Sequence, residues 1–121
     1  MQMLSFSAVP IVMCETAKIL NPEKRVILPD KNADCSLADS APPKKFKDWV
    51  NSHSDHTIIT YINCSAEVKA VSYIICTSSN AEKIINSLPK NEKIIFAPAK
   101  YLEAYLMKKT GRDLLLLRNR E

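Results

Sequence analysis

One pattern, repeated within Thr57–Ile85, constrains this chain more than any other. A β-branched and aromatic run is followed by a polar turn and then a helical segment, twice over. Thr57-Ile58-Ile59-Thr60-Tyr61-Ile62 has the composition of a buried strand. Asn63 and Ser65 then open a short helix over Ala66–Val71. Tyr73-Ile74-Ile75-Cys76 is a second apolar run, and Thr77-Ser78-Ser79-Asn80 opens a second helix, with Ser79 and Glu82 at capping-box spacing. Strands alternating with helices in this way imply parallel pairing through right-handed crossovers. The polar turns then share one edge of the sheet, and in an open α/β sheet ligands sit outside the carboxyl ends of the strands. Ser, Thr and Asn at helix starts serve equally well as ordinary caps. The coincidence of two such turns beside Tyr61 and Asn63 favours an edge that also binds a small anion.

Composition removes several alternatives. A single glycine in 121 residues excludes a glycine-rich phosphate loop. The net charge of +4 comes from scattered pairs such as Lys44-Lys45 and Lys108-Lys109, not from the clustered basic face that nucleic acid requires. No apolar run approaches the ~18–20 residues of a membrane span. Met1–Met13 is apolar but lacks the positive start of a secretory signal. Cys64 and Cys76 fall inside strand-turn-helix elements, which suits a reducing cytoplasm better than a disulfide framework. None of the four cysteines forms a C-x₂-C pair.

Taken in order, residues 1–13 read as a strand interrupted by Pro10. Glu15–Leu20 reads as a short helix stopped by Asn21-Pro22, and Arg25–Leu28 as a strand closed by Pro29. A polar loop, Asp30 to Leu37, then carries Cys35 at the mouth of a helix. Lys44–Ser52 is amphipathic, with Phe46, Trp49 and Val50 on one face as core residues. His53 and His56 read as solvated loop residues with no third metal ligand at suitable spacing. Lys93–Ala97 is a further strand, broken by Pro98. Lys100–Thr110 is a helix with Leu102, Tyr105 and Leu106 on one face, ended by Gly111 in a left-handed cap, and Asp113–Leu117 is the last strand. The expected fold is α/β: a three-layer αβα arrangement with a four-stranded parallel sheet over roughly 57–117. Residues 1–40 would be the C-terminal part of a preceding similar domain, and residues 41–121 a second domain.

YINCSAEVKA followed by CTSSNA resembles the second-domain signature of quinolinate synthase, the bacterial and plastid enzyme of NAD biosynthesis. CETAKILNPEKRVILPD, ADCSLADS and IIFAP…YLMKKTGRD agree with it in order and spacing, so that the resemblance covers roughly residues 13–116. It implies three similar α/β domains around one [4Fe–4S] cluster. It also implies condensation of iminosuccinate with dihydroxyacetone phosphate, then ring closure and dehydration to quinolinate. The cluster would act as a Lewis acid held by three cysteines. Carried over by position, Cys35 would be an iron ligand, helped by a helix N-terminus that lowers a thiol's pKa. Tyr61, Ile62 and Asn63 would contact substrate, with Tyr61 a proton donor or acceptor, and Ser78 would hold a carboxylate or phosphate. The sulfur of Cys35 should face the same edge as Tyr61, Asn63 and Ser78 and be partly exposed, while Cys14, Cys64 and Cys76 should be more buried or point elsewhere.

The chain also departs from the pattern. Its opening strand has no glycine, Tyr73 and Ala99 replace acidic residues, and Glu103 stands where glycine is common. The other cluster cysteines, the N-terminal histidine and tyrosine, and the later histidine and glutamate match nothing in these 121 residues. The expectation is therefore a piece of a cytoplasmic quinolinate synthase that is catalytically silent alone. Its partners would be small-molecule substrates, and the missing domains or a second copy. The alternative is a non-enzymatic α/β module binding a small anion at helix N-termini. Nucleic acid and membrane are not expected as partners.

Overall fold

The aliphatic runs of residues 57–117 pair into one parallel sheet. In the computed structural model, which describes residues 3–5, 10–32, 36–39, 41–98 and 101–117, this sheet contains β3 (Thr57–Tyr61), β4 (Ile74–Cys76), β5 (Ile94–Ala97) and β6 (Leu114–Leu116) in the order β4-β3-β5-β6. Every neighbouring pair is parallel, with Ile59 opposite both Ile74 and Phe96, and Ile94 opposite Leu114. A smaller parallel sheet joins β1 (Met3–Ser5) to β2 (Arg25–Ile27), with Leu4 opposite Val26.

Helices cover the larger sheet on both faces, since successive strand residues point to opposite sides and both sides carry apolar side chains. Ile59, Ile94, Phe96 and Leu114 face α5 (Ala81–Ser87) and α6 (Leu102–Thr110), enclosing Cys76, Ala81, Ile85 and Leu106. Ile58 and Ala97 face the other way, against α3 (Pro43–Asn51) and α4 (Ala66–Ala70), where Phe46, Val50, Cys64 and Val68 form a second core. Every residue of β5 is buried, as a central parallel strand covered on both faces requires. Thr60 is fully buried as well. Its hydroxyl donates to Ser72 Oγ at 2.9 Å, and Ser72 donates onward to the carbonyl of Val68 at 2.7 Å, so the polar group is satisfied inside the core.

The expected three-layer α/β fold is therefore present, with local corrections. The helix expected at Glu15 starts earlier: α1 runs Ile11–Leu20, with Pro10 as its extended N-cap. Ile11 and Val12 look like strand residues by propensity, but Val12 and Cys14 are buried from the helix, and packing overrides propensity. The Ser79–Glu82 capping box does not form. Asn80 is the N-cap of α5, and its Oδ1 accepts from the backbone N–H of Thr77 at 2.7 Å, closing the turn ahead of the helix. Tyr105 is exposed, because Leu102, Leu106 and Met107 supply the inward face of α6. His53 and His56 are half-buried rather than solvated. His53 Nδ1 lies 2.8 Å from the Trp49 carbonyl at the end of α3, and the ring packs edge-on between Trp49 and His56 at 5.5 and 5.3 Å. His56 meets Asp55 at 2.8 Å; Lys93 first, and then His56, hold that exposed carboxyl down at about 2.

At the opposite edge from the polar turns, Gly111 ends α6 at φ 68°, a conformation that favours glycine. It delivers Arg112 to the turn between α5 and β5. One guanidinium nitrogen donates to the carbonyls of Ile85 and Leu88, both at 3.0 Å, and the other to those of Pro89 and Glu92 at 2.8 and 2.9 Å. Four carbonyls at the end of α5 and in the turn after it thus share one planar fork, those of Ile85 and Pro89 also accepting a backbone N–H. Arg112→Ala should cost about 2–3 kcal/mol in urea unfolding, because those acceptors lose a charged donor. Arg112→Lys should recover less than half of that, since an ammonium cannot reach all four.

Candidate functional site

The strand order reverses direction beside β3. From β3 the chain steps to β4 on one side, then crosses to β5 on the other, so the carboxyl ends of β3 and β5 flank a topological switch point. Tyr61 is the last residue of β3, and Ile62, Asn63, Cys64 and Ser65 form the turn into α4. Three of the residues expected to touch substrate, Tyr61, Ile62 and Asn63, thus stand at the crevice such sheets use. All three are half-buried. Ile62 continues the pairing by donating its N–H to Cys76 O at 2.8 Å, and the Cys64 N–H then folds back to Ile62 O at 2.9 Å, leaving Asn63 at the apex.

Ser78 follows β4, on the far side of β3 from β5. It lies on the same sheet edge and is exposed. Around it Thr77 Oγ1 is 2.9 Å from Ser79 Oγ and 3.2 Å from Asn80 Oδ1, which fixes the loop internally. The expectation for Cys35 falls outside the described residues, as do those for Ala99 and the chain end. Helix α2 (Ser36–Asp39) begins directly after Cys35, so the expected helix beyond that loop is present.

Sequence reasoning missed the charged groups that hold the Asn63 turn. Glu15, on α1 and 51 residues away, accepts the Ala66 N–H through Oε2 at 2.6 Å. Lys69 is buried, 7% exposed, and its ammonium donates to the carbonyl of Cys64 in a short hydrogen bond. Ser65 Oγ accepts the N–H of Val68 at 3.3 Å. The Ala66 and Val68 N–H groups at the start of α4 are therefore occupied by the protein's own oxygens, which removes much of what an anion-binding reading of this helix start relied on. No local motif announces Glu15 as a cap; only a lysine spaced like an ordinary surface residue, inside a five-residue helix, hinted at the second group. Glu15 and Ser65 also border a cleft of about 320 Å³ between α1, α2 and the start of α4, shared with Asp39 and Pro42.

The described cysteines do not suit a metal cluster. Cys14, Cys64 and Cys76 are free and buried, at 6%, 0% and 1% exposure. Burial pushes the Cys64 thiol up, against the pull of Lys69, and pushes Cys76 up to about 12. A cluster ligand must be a thiolate, and among the described residues no three His, Cys, Asp or Glu side chains converge as metal ligands. No described helix is long and apolar enough to cross a membrane.

A family model described as quinolinate synthetase A protein matches residues 1–120. Among curated relatives, the quinolinate synthase of Trichormus variabilis is 64% identical over 104 residues, 86% of this chain and 32% of its own length. Those of Cyanophora paradoxa and Chloroherpeton thalassium are 62% and 61% identical over the same coverage. The chain spans about a third of the length of the relatives it matches.

The thiols give a direct check. Cys14, Cys64 and Cys76 should resist a disulfide reagent at about pH 8 and react together once urea unfolds the chain. Folded Cys76 keeps its proton up to about 12, whereas its ordinary value is 9.0. Its share of stability is thus complete below about 9 and lost as pH rises toward 12. Urea midpoints measured from about pH 8 to about pH 11 should fall, and fall less steeply in Cys76→Ala.

Proposed function

Because the chain belongs to the quinolinate synthetase A family, we propose that it is the segment of a quinolinate synthase that supplies part of the substrate crevice. The whole enzyme would condense iminosuccinate with dihydroxyacetone phosphate to form quinolinate for NAD biosynthesis. The observation that carries this reading is the position of Tyr61, Ile62 and Asn63 at the switch point between β3 and β5, in a chain matching the family over residues 1–120. Asn63 offers a carboxamide that can donate to a carboxylate or carbonyl and accept from an amine or hydroxyl. Tyr61 brings a phenol to the same strand end, a group able to give or take a proton. Ser78, across β3 from β5, would meet an anionic group of the substrate from the neighbouring turn.

Residues 1–40 would belong to a first α/β domain and residues 41–121 to a second. The separate pairing of β1 with β2 supports the division, as does apolar surface left open on the N-terminal elements at Ile19, Leu20 and Ile27. That surface is what a domain lacking its neighbours would show. Cys35 would be one ligand of a [4Fe–4S] cluster. When bound, the cluster would supply Lewis acidity, and further cysteines from outside these residues would be needed to hold it. The role of these residues is to bind and orient substrate beside it. The protein would work in the cytoplasm on small-molecule substrates, with the remaining domains or a second copy completing the pocket.

Two measurements test the reading. Gene or transcript sequence on either side of the codons for Met1 and Glu121 should encode the remaining family motifs; their absence from both sides would remove the multidomain version. In the complete enzyme, Cys35→Ser should abolish the visible iron–sulfur absorbance and the activity together, while Cys76→Ser should keep the cluster. A Cys35→Ser protein that retained both would overturn the ligand assignment.

A further inference from the structure

Asn63 sits at the apex of a turn that has few internal bonds of its own. Only the Cys64 N–H to Ile62 carbonyl closure lies within it. What fixes the turn comes from outside. Glu15 reaches across from α1 to take the Ala66 N–H, and Lys69 reaches back from the next turn of chain to the Cys64 carbonyl. The two charges grip adjacent parts of one short segment, a carboxylate on its donor side and an ammonium on its acceptor side. Both bonds are charge-assisted and at least partly shielded from water, the kind that is short and resists exchange with solvent. An ammonium at 7% exposure is costly unless it is bonded, so a lysine kept there in place of an apolar residue needs a reason. Helix α4 spans only Ala66–Ala70, too short to set the turn by its own cooperativity.

We infer that Glu15 and Lys69 are positioning residues, a two-sided electrostatic clamp that holds the Ile62–Ser65 turn and thereby aims the Asn63 carboxamide. The inference rests on the reading of Asn63 as a substrate contact, and it extends that reading to residues that touch no substrate. Its consequence is that the N-terminal elements take part in the crevice through a hydrogen bond at a distance of 51 residues in sequence.

The test compares Glu15→Ala, Glu15→Gln and Lys69→Met in the 121-residue chain, with Ile85→Val as a core substitution that destabilises elsewhere. Nuclear magnetic resonance follows the Asn63 carboxamide and the Ala66 amide proton, and dihydroxyacetone phosphate serves as the probe. The Asn63 signals should shift and broaden in Glu15→Ala and Lys69→Met, recover largely in Glu15→Gln, which keeps an acceptor, and stay in place in Ile85→Val. Probe affinity should weaken about tenfold in Glu15→Ala and Lys69→Met, the size expected for losing one charged hydrogen bond. Unchanged Asn63 signals in Glu15→Ala and Lys69→Met, with a melting temperature lowered as in Ile85→Val, would overturn the inference. Should Lys69→Met fail to fold, Glu15→Ala decides alone, since it opens no core cavity. Where the unmodified chain binds no probe, the Asn63 signals alone decide the clamp.

Discussion

Everything in the larger sheet depends on β3 being hydrogen-bonded along both edges. Thr57–Tyr61 pairs with β4 on one side and with β5 on the other, although β4 alone follows it in sequence. Right-handed crossovers then put α4 on one face and α5 on the opposite face, because the chain leaves β3 in one direction and returns past it in the other. The two cores follow from that single reversal. So does the crevice: the connections from β3 and β5 leave toward opposite sides, which opens a gap between their carboxyl ends. The place of Asn63 at this strand end is thus a consequence of topology before it is one of side-chain chemistry.

Polar groups then adjust what the apolar pattern builds. Thr60 could not be buried in β3 without Ser72, and Ser72 could not be satisfied without the Val68 carbonyl near the end of α4. Arg112 acts at the opposite edge, where its guanidinium ties the end of α5 to the turn before β5 through four carbonyls. Lys69 is of another kind. Its ammonium donates to the carbonyl of Cys64, itself fully buried, so a full charge satisfies an acceptor inside the second core where a neutral donor would serve. Its burial therefore speaks for geometry more than for stability.

The sequence was legible where one physical signal dominated. Strands β3 to β6 came from runs of β-branched and aliphatic residues, and the end of α6 from the lone glycine. It misled where two signals competed. Ile11 and Val12 carry strand propensity, yet the helix from Pro10 buries Val12 and Cys14 together. Ser79 and Glu82 have capping-box spacing, yet Asn80 closes the preceding turn with its own side chain and moves the helix start. His53 looked like a loop residue because nothing local reveals that the end of α3 would offer it a carbonyl and an aromatic edge. At the candidate site, Tyr61, Ile62 and Asn63 were readable from their place after a strand. Glu15 was not, because its partner is 51 residues distant and a carboxylate at that range leaves no periodic trace.

That last contact bears on how the two parts of the chain relate. The N-terminal elements have their own small sheet and leave Met13, Ile19 and Leu20 exposed, so little apolar surface is available to secure α1 against the larger sheet. Some packing does join them, where α1 lies against α4, but apolar contact is tolerant of small slides in a way that a 2.6 Å hydrogen bond is not. A carboxylate seated on the first N–H of α4 fixes the relative register of α1 and α4 at the point where the crevice begins. Where catalysis depends on placing a carboxamide within a few tenths of an ångström, the directional bond, and not the larger hydrophobic area, sets that placement.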